Sequence, residues 1–344
     1  MNNILASVLL SVAGLLTLAS QSHADYSTHP EAAEFIDSMV EKHHFAREDI
    51  VSWLRTATHQ ESIVKAMSRP AEKVKPWYQY RNHFISDQRI DGGVAFWEQN
   101  RQTLEKAERD FGVDPAIIVS IIGVETNYGS NTGSYKVVDA LTTLAFDYYT
   151  YTDKRESRKR FFTAELENLF LLAREQKQNP VELKGSYAGA MGLGQFMPSS
   201  YRHYAVDYDS DQFADIWRNP TDAIGSVANY FAEHGWRQGE AVAVRANINS
   251  DPAEETVNKL VRPKQSLAEL DSQGYKIMQS LPPETKAFPM RFSAKYGNEY
   301  WLGMHNFYVI SRYNPRTKYA MAVFQLSELI RQKKCRQYND CTPS

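Results

Sequence analysis

A chain of 344 residues, 42% of them hydrophobic, is long enough to bury a full core and to divide into two or three domains, which excludes a disordered chain. Thirty-nine basic residues against 41 acidic ones leave a formal net charge of -2, so bulk electrostatic capture of nucleic acid is excluded as well. Aromatic content of 12%, with 20 tyrosines, leans towards a carbohydrate or hydrophobic ligand, a tyrosine-rich core being the competing explanation.

At the N-terminus an apolar run over 4–18 is followed by Ser22-His23-Ala24, with small residues at the two positions signal peptidase reads. Residues 1–24 therefore read as an export signal cleaved after Ala24, which places the mature chain in the periplasm. The run is short for a transmembrane span, and only the terminal amine supplies charge ahead of it; an uncleaved anchor is the alternative. No cysteine stands near the cleavage site, so a lipoprotein is not expected. Helical spacing of apolar residues follows over 30–66 (Phe35, Met39, Val40, Ile50, Trp53, Leu54) and over 93–111 (Trp97, Leu104, Ala107), predicting helices outside the central core. Asp114-Pro115 supplies an N-cap and a first-turn proline for 117–125, which is apolar almost all round and is predicted to be buried. Further buried helices are predicted over 161–176 and about 222–235, the second closed by His234-Gly235.

Between 241 and 290 the character changes to short alternating stretches with several Pro and Asp, the mark of a small strand-containing insert. Apolar helical spacing returns over 308–332, where the chain is expected to come back onto the first helices. The expectation is an α+β fold, mainly α. Its units are 25–110 plus about 308–344 as a helical domain, 111–236 as the core, and 237–307 as the small β-containing insert. The two cysteines, Cys335 and Cys341, are expected to pair in an oxidising compartment, because two thiols without a histidine between them lack the four ligands zinc wants.

The segment Gly185-Ser-Tyr-Ala-Gly-Ala-Met-Gly-Leu-Gly-Gln-Phe-Met-Pro-Ser-Ser-Tyr201 interleaves four glycines with aromatic, apolar and amide side chains. Such a stretch lets backbone approach a ligand closely and reads as the wall of a cleft for a long polar polymer. It contains no Asp, Glu, Cys or His, so proton chemistry must come from elsewhere, and Glu125, at the end of the buried apolar helix, is the best placed candidate. Desolvation there favours the protonated carboxyl, a general acid for a glycosidic oxygen. An ordinary solvated helix-end carboxylate is the plainer alternative. Two-carboxylate hydrolysis needs a second acid, and Asp139, Asp147, Glu165 and Glu167 read better as caps or solvated helix faces. The glycines of 189–194 do not follow GxGxxG and no strand precedes them, so a dinucleotide site is rejected.

Gly123-Val-Glu-Thr-Asn-Tyr-Gly129, the 185–201 segment, Asp222-Ala-Ile-Gly-Ser-Val-Ala-Asn-Tyr230, and Tyr313-Asn314 followed by Tyr319-Ala-Met together resemble the membrane-bound lytic murein transglycosylase B family over nearly the whole mature chain. The resemblance implies a lysozyme-like core with an added helical domain and a small strand domain, acting as a monomer on the glycan strands of peptidoglycan with no cofactor for catalysis. It implies cleavage of the β-1,4 bond between N-acetylmuramic acid and N-acetylglucosamine without water, the muramic acid's own C6 hydroxyl closing a 1,6-anhydro ring. By position Glu125 corresponds to the acid/base. Tyr80, Ser186, Gln195, Tyr230, Tyr313, Asn314 and Tyr319 correspond to residues lining the glycan and peptide subsites. Where the family has paired arginines, this chain has Arg155-Glu-Ser-Arg158 after an apparent insertion over 149–154, leaving Arg158 to meet peptide carboxylates. The competing expectations are a non-catalytic peptidoglycan-binding protein, for which Glu125 is superfluous, and a hydrolysing muramidase, which needs a second catalytic carboxylate.

Asp207, Asp209 and Asp211 alternate with the spacing of an EF-hand loop, and Asp222 offers a distal carboxylate. Gln212 stands where such a loop places glycine, and Asp222 falls later than the loop's twelfth position, so a solvated acidic loop is the alternative. The family's calcium site at this location favours a structural Ca2+, or sodium in its place.

Overall fold

A computed structural model describes residues 25–68, 75–148 and 155–339. The export signal over 1–24, the insertion over 149–154 and Cys341 lie outside them. The helix carrying Glu125 sets the centre of the molecule. Asp114 accepts a hydrogen bond from the Ala116 amide at 2.8 Å, and Pro115, whose missing N–H costs nothing at a first turn, starts the helix α7 (Pro115–Thr126). Every residue of α7 except Glu125 is buried. Such a helix needs neighbours on all sides.

Those neighbours come from distant parts of the chain. The N-terminal half supplies α1 (Ala32–His43), α2 (Arg47–Thr56), α3 (Glu61–Ser68), α4 (Trp77–Phe84), α5 (Asp87–Gln99) and α6 (Arg101–Phe111). After α7 come α8 (Val137–Phe146), α9 (Arg155–Glu175), α10 (Pro198–Tyr204) and α11 (Pro220–Glu233), and the chain closes with α13 (His305–Tyr313) and α14 (Thr317–Tyr338), α12 (Leu267–Ser272) lying between. α14 packs chiefly on α7, α5 and α4. α1 and α2 instead meet α8 and α9, through Phe35 against Phe146 with centroids 6.1 Å apart and Trp53 against Phe170 at 4.9 Å. The returning chain thus lands on α4 and α5 of the N-terminal half. The physical reason is that α4 and α5 leave their apolar stripe (Trp77, Val94, Trp97) open, whereas α1 and α2 have already spent theirs on α8 and α9.

Strands are few. β1 (Tyr135–Lys136) pairs with β2 (Lys184–Gly185), tying the residues after α7 to the start of the glycine-rich segment. A five-stranded antiparallel sheet has the order β4-β6-β7-β3-β5, with β3 (Ala243–Ile248), β4 (Gln265–Ser266), β5 (Tyr275–Ile277), β6 (Lys286–Ser293) and β7 (Asn298–Gly303). The period of two divides its side chains: Phe288, Met290 and Phe292 enter the main core, while Ala287 and Leu302 join Val244, Leu267 and Leu270 in a second, smaller one. The fold is mainly α with a small β part.

Candidate active site

The last turn of α7 ends on Asn127 and Tyr128, two successive non-glycine residues at φ 51° and 59°. The Asn127 and Tyr128 amides donate to the carbonyls of Gly123 and Ile122, which closes the helix and turns the chain sharply after Glu125. Tyr128 then tucks under α5, its hydroxyl donating to the Arg89 carbonyl at 2.7 Å. Gly123 is required there, since a Cβ would sit 2.6 Å from that hydroxyl.

Glu125 is left half-buried, at the junction of four elements. Tyr319, in the first turn of α14, donates to Glu125 Oε1 at 2.5 Å. Tyr80 of α4, Tyr313 at the end of α13 and Tyr319 all feel the Glu125 charge, which adds to desolvation in holding their phenols above the usual tyrosine range. Burial pushes the Glu125 carboxyl up to about 7, against the opposing pull of the Tyr319 hydrogen bond. The result is an acid poised near neutrality inside a neutral phenolic wall.

The glycine-rich segment forms the facing wall. Thr126 Oγ1 donates to the Leu193 carbonyl at 2.9 Å and accepts from the Gly129 amide at 3.0 Å, so the residue next to the acid joins α7 to this wall. Ser186 Oγ accepts from the amides of Ala188 and Ala190, holding a tight turn and leaving its own proton for a ligand. Gln195, at φ 53°, gives its side-chain amide protons to the carbonyls of Thr132 (3.1 Å) and Gly192 (3.0 Å), which orients its oxygen as an acceptor. Tyr313 donates to the Gly194 carbonyl. Here again glycine is needed, because a Cβ at 194 would lie 2.9 Å from the Tyr313 hydroxyl.

Tyr230 is buried behind Tyr313, ring centroids 4.7 Å apart, and its hydroxyl donates to the Arg312 carbonyl at 2.7 Å; it braces the wall. Asn314 lies in the short link between α13 and α14, where its carbonyl accepts from the Arg316 amide at 2.7 Å. Tyr80, Tyr313 and Tyr319 are therefore brought together around Glu125, with Ser186 and Gln195 on the facing segment. Arg158 is not in this group: it is exposed on α9, its guanidinium 5.6 Å from the Phe162 ring centre. The cation whose charge reaches Tyr80 is Arg316. Sequence reasoning missed Thr126 and Arg316, although a hydroxyl directly after the candidate acid and a base between two candidate tyrosines were visible signals.

The other carboxylates are engaged elsewhere. Asp139 accepts from the Thr58 amide and Gln60, Asp147 from Tyr26, and Glu165 from the amide and hydroxyl of Ser199, while His43 lies 2.7 Å from Glu167. Asp139 and Glu165 are buried anchors rather than the caps or solvated faces expected, because each satisfies backbone donors of a neighbouring segment.

Asp207, Asp209, Asp211 and Asp222 converge, with one carboxylate oxygen from each lying within 4.8 Å of the others. Asp222 is buried at the start of α11, and its carboxyl is raised by desolvation and further by the charges of Asp209 and Asp207. Hard oxygens crowded around a buried carboxylate fit an oxygen-seeking cation. The sharp turn survives without glycine: Gln212 itself takes φ 80°, and its amide donates to Asp207 Oδ2 at 2.7 Å.

A family model described as "Transglycosylase SLT domain" matches residues 27–328. Membrane-bound lytic murein transglycosylase B of Escherichia coli is 42% identical over 319 residues, 90% of this chain and 85% of that protein. The structure is similar to the lytic transglycosylase SltB1 of Pseudomonas aeruginosa, with a TM-score of 0.84 and 50% identity over 90% of this chain and 100% of that one. It is similar also to the Escherichia coli lytic transglycosylase Slt35 in complex with calcium, with a TM-score of 0.81 and 41% identity over 91% of this chain and 96% of that one. The match from residue 27 to 328, together with these identities, means that the chain belongs to the transglycosylase SLT domain family.

Proposed function

We propose that this peptidoglycan lytic transglycosylase cuts the β-1,4 bond between N-acetylmuramic acid and N-acetylglucosamine and leaves a 1,6-anhydro end, with Glu125 as the only acid/base. The protonated Glu125 carboxyl gives its proton to the glycosidic oxygen as the C1–O bond breaks. The C6 hydroxyl oxygen of the same muramic acid then bonds to C1, and its proton passes to the Glu125 carboxylate. The enzyme is thereby returned to its starting state and no water is consumed. An internal nucleophile has a high effective concentration by construction, so no second carboxylate is needed to hold a water.

The observation that carries this reading is the state of Glu125: a half-buried carboxyl poised near 7, held by Tyr319, with the other candidate carboxylates bonded elsewhere. Ser186, Gln195, Tyr80, Tyr313 and Asn314 would line the subsites, the phenols stacking on sugar faces and the Gln195 oxygen accepting from an acetamido N–H. Asp207, Asp209, Asp211 and Asp222 would hold a calcium ion that fixes the loop between α10 and α11 and takes no part in the reaction. Slt35 has been solved with calcium. No helix among the described residues is long and apolar enough to cross a membrane. Release into the periplasm after cleavage at Ala24 rests on the apolar run over 4–18 and the Ser22-His23-Ala24 that follows it.

Mass spectrometry of murein digested by the purified protein tests the reaction. Products lighter by one water than the hydrolysed muropeptides are expected, and Glu125→Gln should lower turnover by about 100-fold to 10,000-fold, the usual contribution of a general acid/base. Reducing muramic acid ends, or an active Glu125→Gln enzyme, would overturn it.

A further inference from the structure

Further along α14 from Tyr319 a second groove, of about 540 Å3, opens between α4, α14 and the strands β3 and β7. Its aromatic surface comes from Tyr78 of α4, Phe324 of α14 and Trp301 of β7, all half-buried, the last two meeting edge-on with centroids 6.1 Å apart. Trp77 is buried behind them and lies against Tyr80 at 6.2 Å and 30°, so a single aromatic stack separates this groove from the phenols around Glu125.

The charges lining it cancel. Arg81 and Arg245 are matched by Glu299 and Glu328; Arg245 lies 4.0 Å from Glu299, and Arg81 spends its Nε proton on Gln325 at 2.7 Å. A lining with no net charge offers nothing to a phosphate or a polyacid. Aromatic faces beside the amides of Gln279 and Gln332 instead suit a neutral ligand with apolar ring faces and acetamido groups.

We propose that this groove is a second glycan-binding site, taking an N-acetylated β-1,4-linked stretch of the polymer that is cut at Glu125. The inference rests on the peptidoglycan reading of the catalytic cleft. A second hold on an insoluble polymer raises the effective concentration of strand at the cleft without adding any contact to the reacting sugars.

The test is a calorimetric titration of the full-length Glu125→Gln protein with chitohexaose. Two binding events are expected. Trp301→Ala should remove one of them, and because Trp301 also packs on Phe324, Tyr78→Ala serves as a gentler second variant, expected to weaken the same event about tenfold, the worth of one aromatic contact. Gln195→Ala should affect only the other event. Co-sedimentation of the Glu125→Gln protein with intact sacculi should fall in parallel with the groove event. A single binding event that Gln195→Ala weakens and Tyr78→Ala leaves untouched would overturn the second site. That outcome leaves the catalytic reading standing, since the latter fails separately, on the absence of anhydro ends.

Discussion

The burial that suits Glu125 to the proposed acid role comes at a cost to the fold, and the cost is measurable. Its carboxyl rises from 4.5 to about 7 on folding because burial disfavours the charge. The native state therefore prefers the neutral form. The stability this gives is fully present below pH 4.5, is lost progressively as pH climbs to about 7, and is absent above it. At ~1.4 kcal/mol for each pH unit between 4.5 and about 7, the difference comes to about 3.5 kcal/mol. Glu125→Gln keeps the shape and hydrogen-bonding capacity but cannot ionise, so it should melt with the parent at pH 4 and above it at pH 8.5. For a chain of this size a change of about 3.5 kcal/mol corresponds to roughly 5 °C in Tm. Differential scanning calorimetry of both proteins at the two pH values reads the gap, and the other buried acids cancel because both proteins carry them. A gap of the same size at pH 4 and 8.5, or none at pH 8.5, would refute the placement of an ionising carboxyl in a desolvated site.

Tyr319→Phe removes the hydrogen bond that favours the Glu125 carboxylate, so the alkaline limb of kcat/KM against pH should move up by about one unit, with a lower maximum; an unmoved limb counts against the contact. Stripping calcium should lower Tm, since an ion bound only by the native state at a hundred times its dissociation constant stabilises by about 2.7 kcal/mol; Asp209→Ala should abolish the response to added calcium, and a parent that gives no thermal shift removes the ion from the account. Intact-mass analysis of periplasmic material should show a chain beginning at Asp25 with Cys335 and Cys341 joined; two free thiols or a retained Met1 would contradict it.

The acid and its wall were legible because each leaves a local mark. An N-cap and proline announce α7, an all-apolar run announces its burial, and glycines packed among aromatics announce a close backbone wall. Which tyrosine bonds the acid is a property of tertiary packing: Tyr319 and Tyr230 look alike in the sequence, yet one bonds Glu125 and the other braces Tyr313 from behind. Asp139 and Glu165 escaped for the same reason, since the donors that bury them come from segments far along the chain. For Arg158 the sequence offers only a likeness to the family's paired arginines, and nothing local indicates that its guanidinium lies beside the Phe162 ring on α9. Gln212 marks a different limit: an amide residue took a left-handed backbone conformation that glycine adopts more cheaply, because two backbone donors find the Asp207 carboxylate there.

Tyr319 stands 194 positions after Glu125, and the helix that delivers it is the last of the described chain. A growing chain shorter than 319 residues therefore holds the acid without the phenol that bonds it, and without the α14 surface against which α7 is packed. The environment that raises the Glu125 carboxyl is thus assembled only once α14 has docked, so the order of translation makes this site one of the last parts of the described chain to be completed.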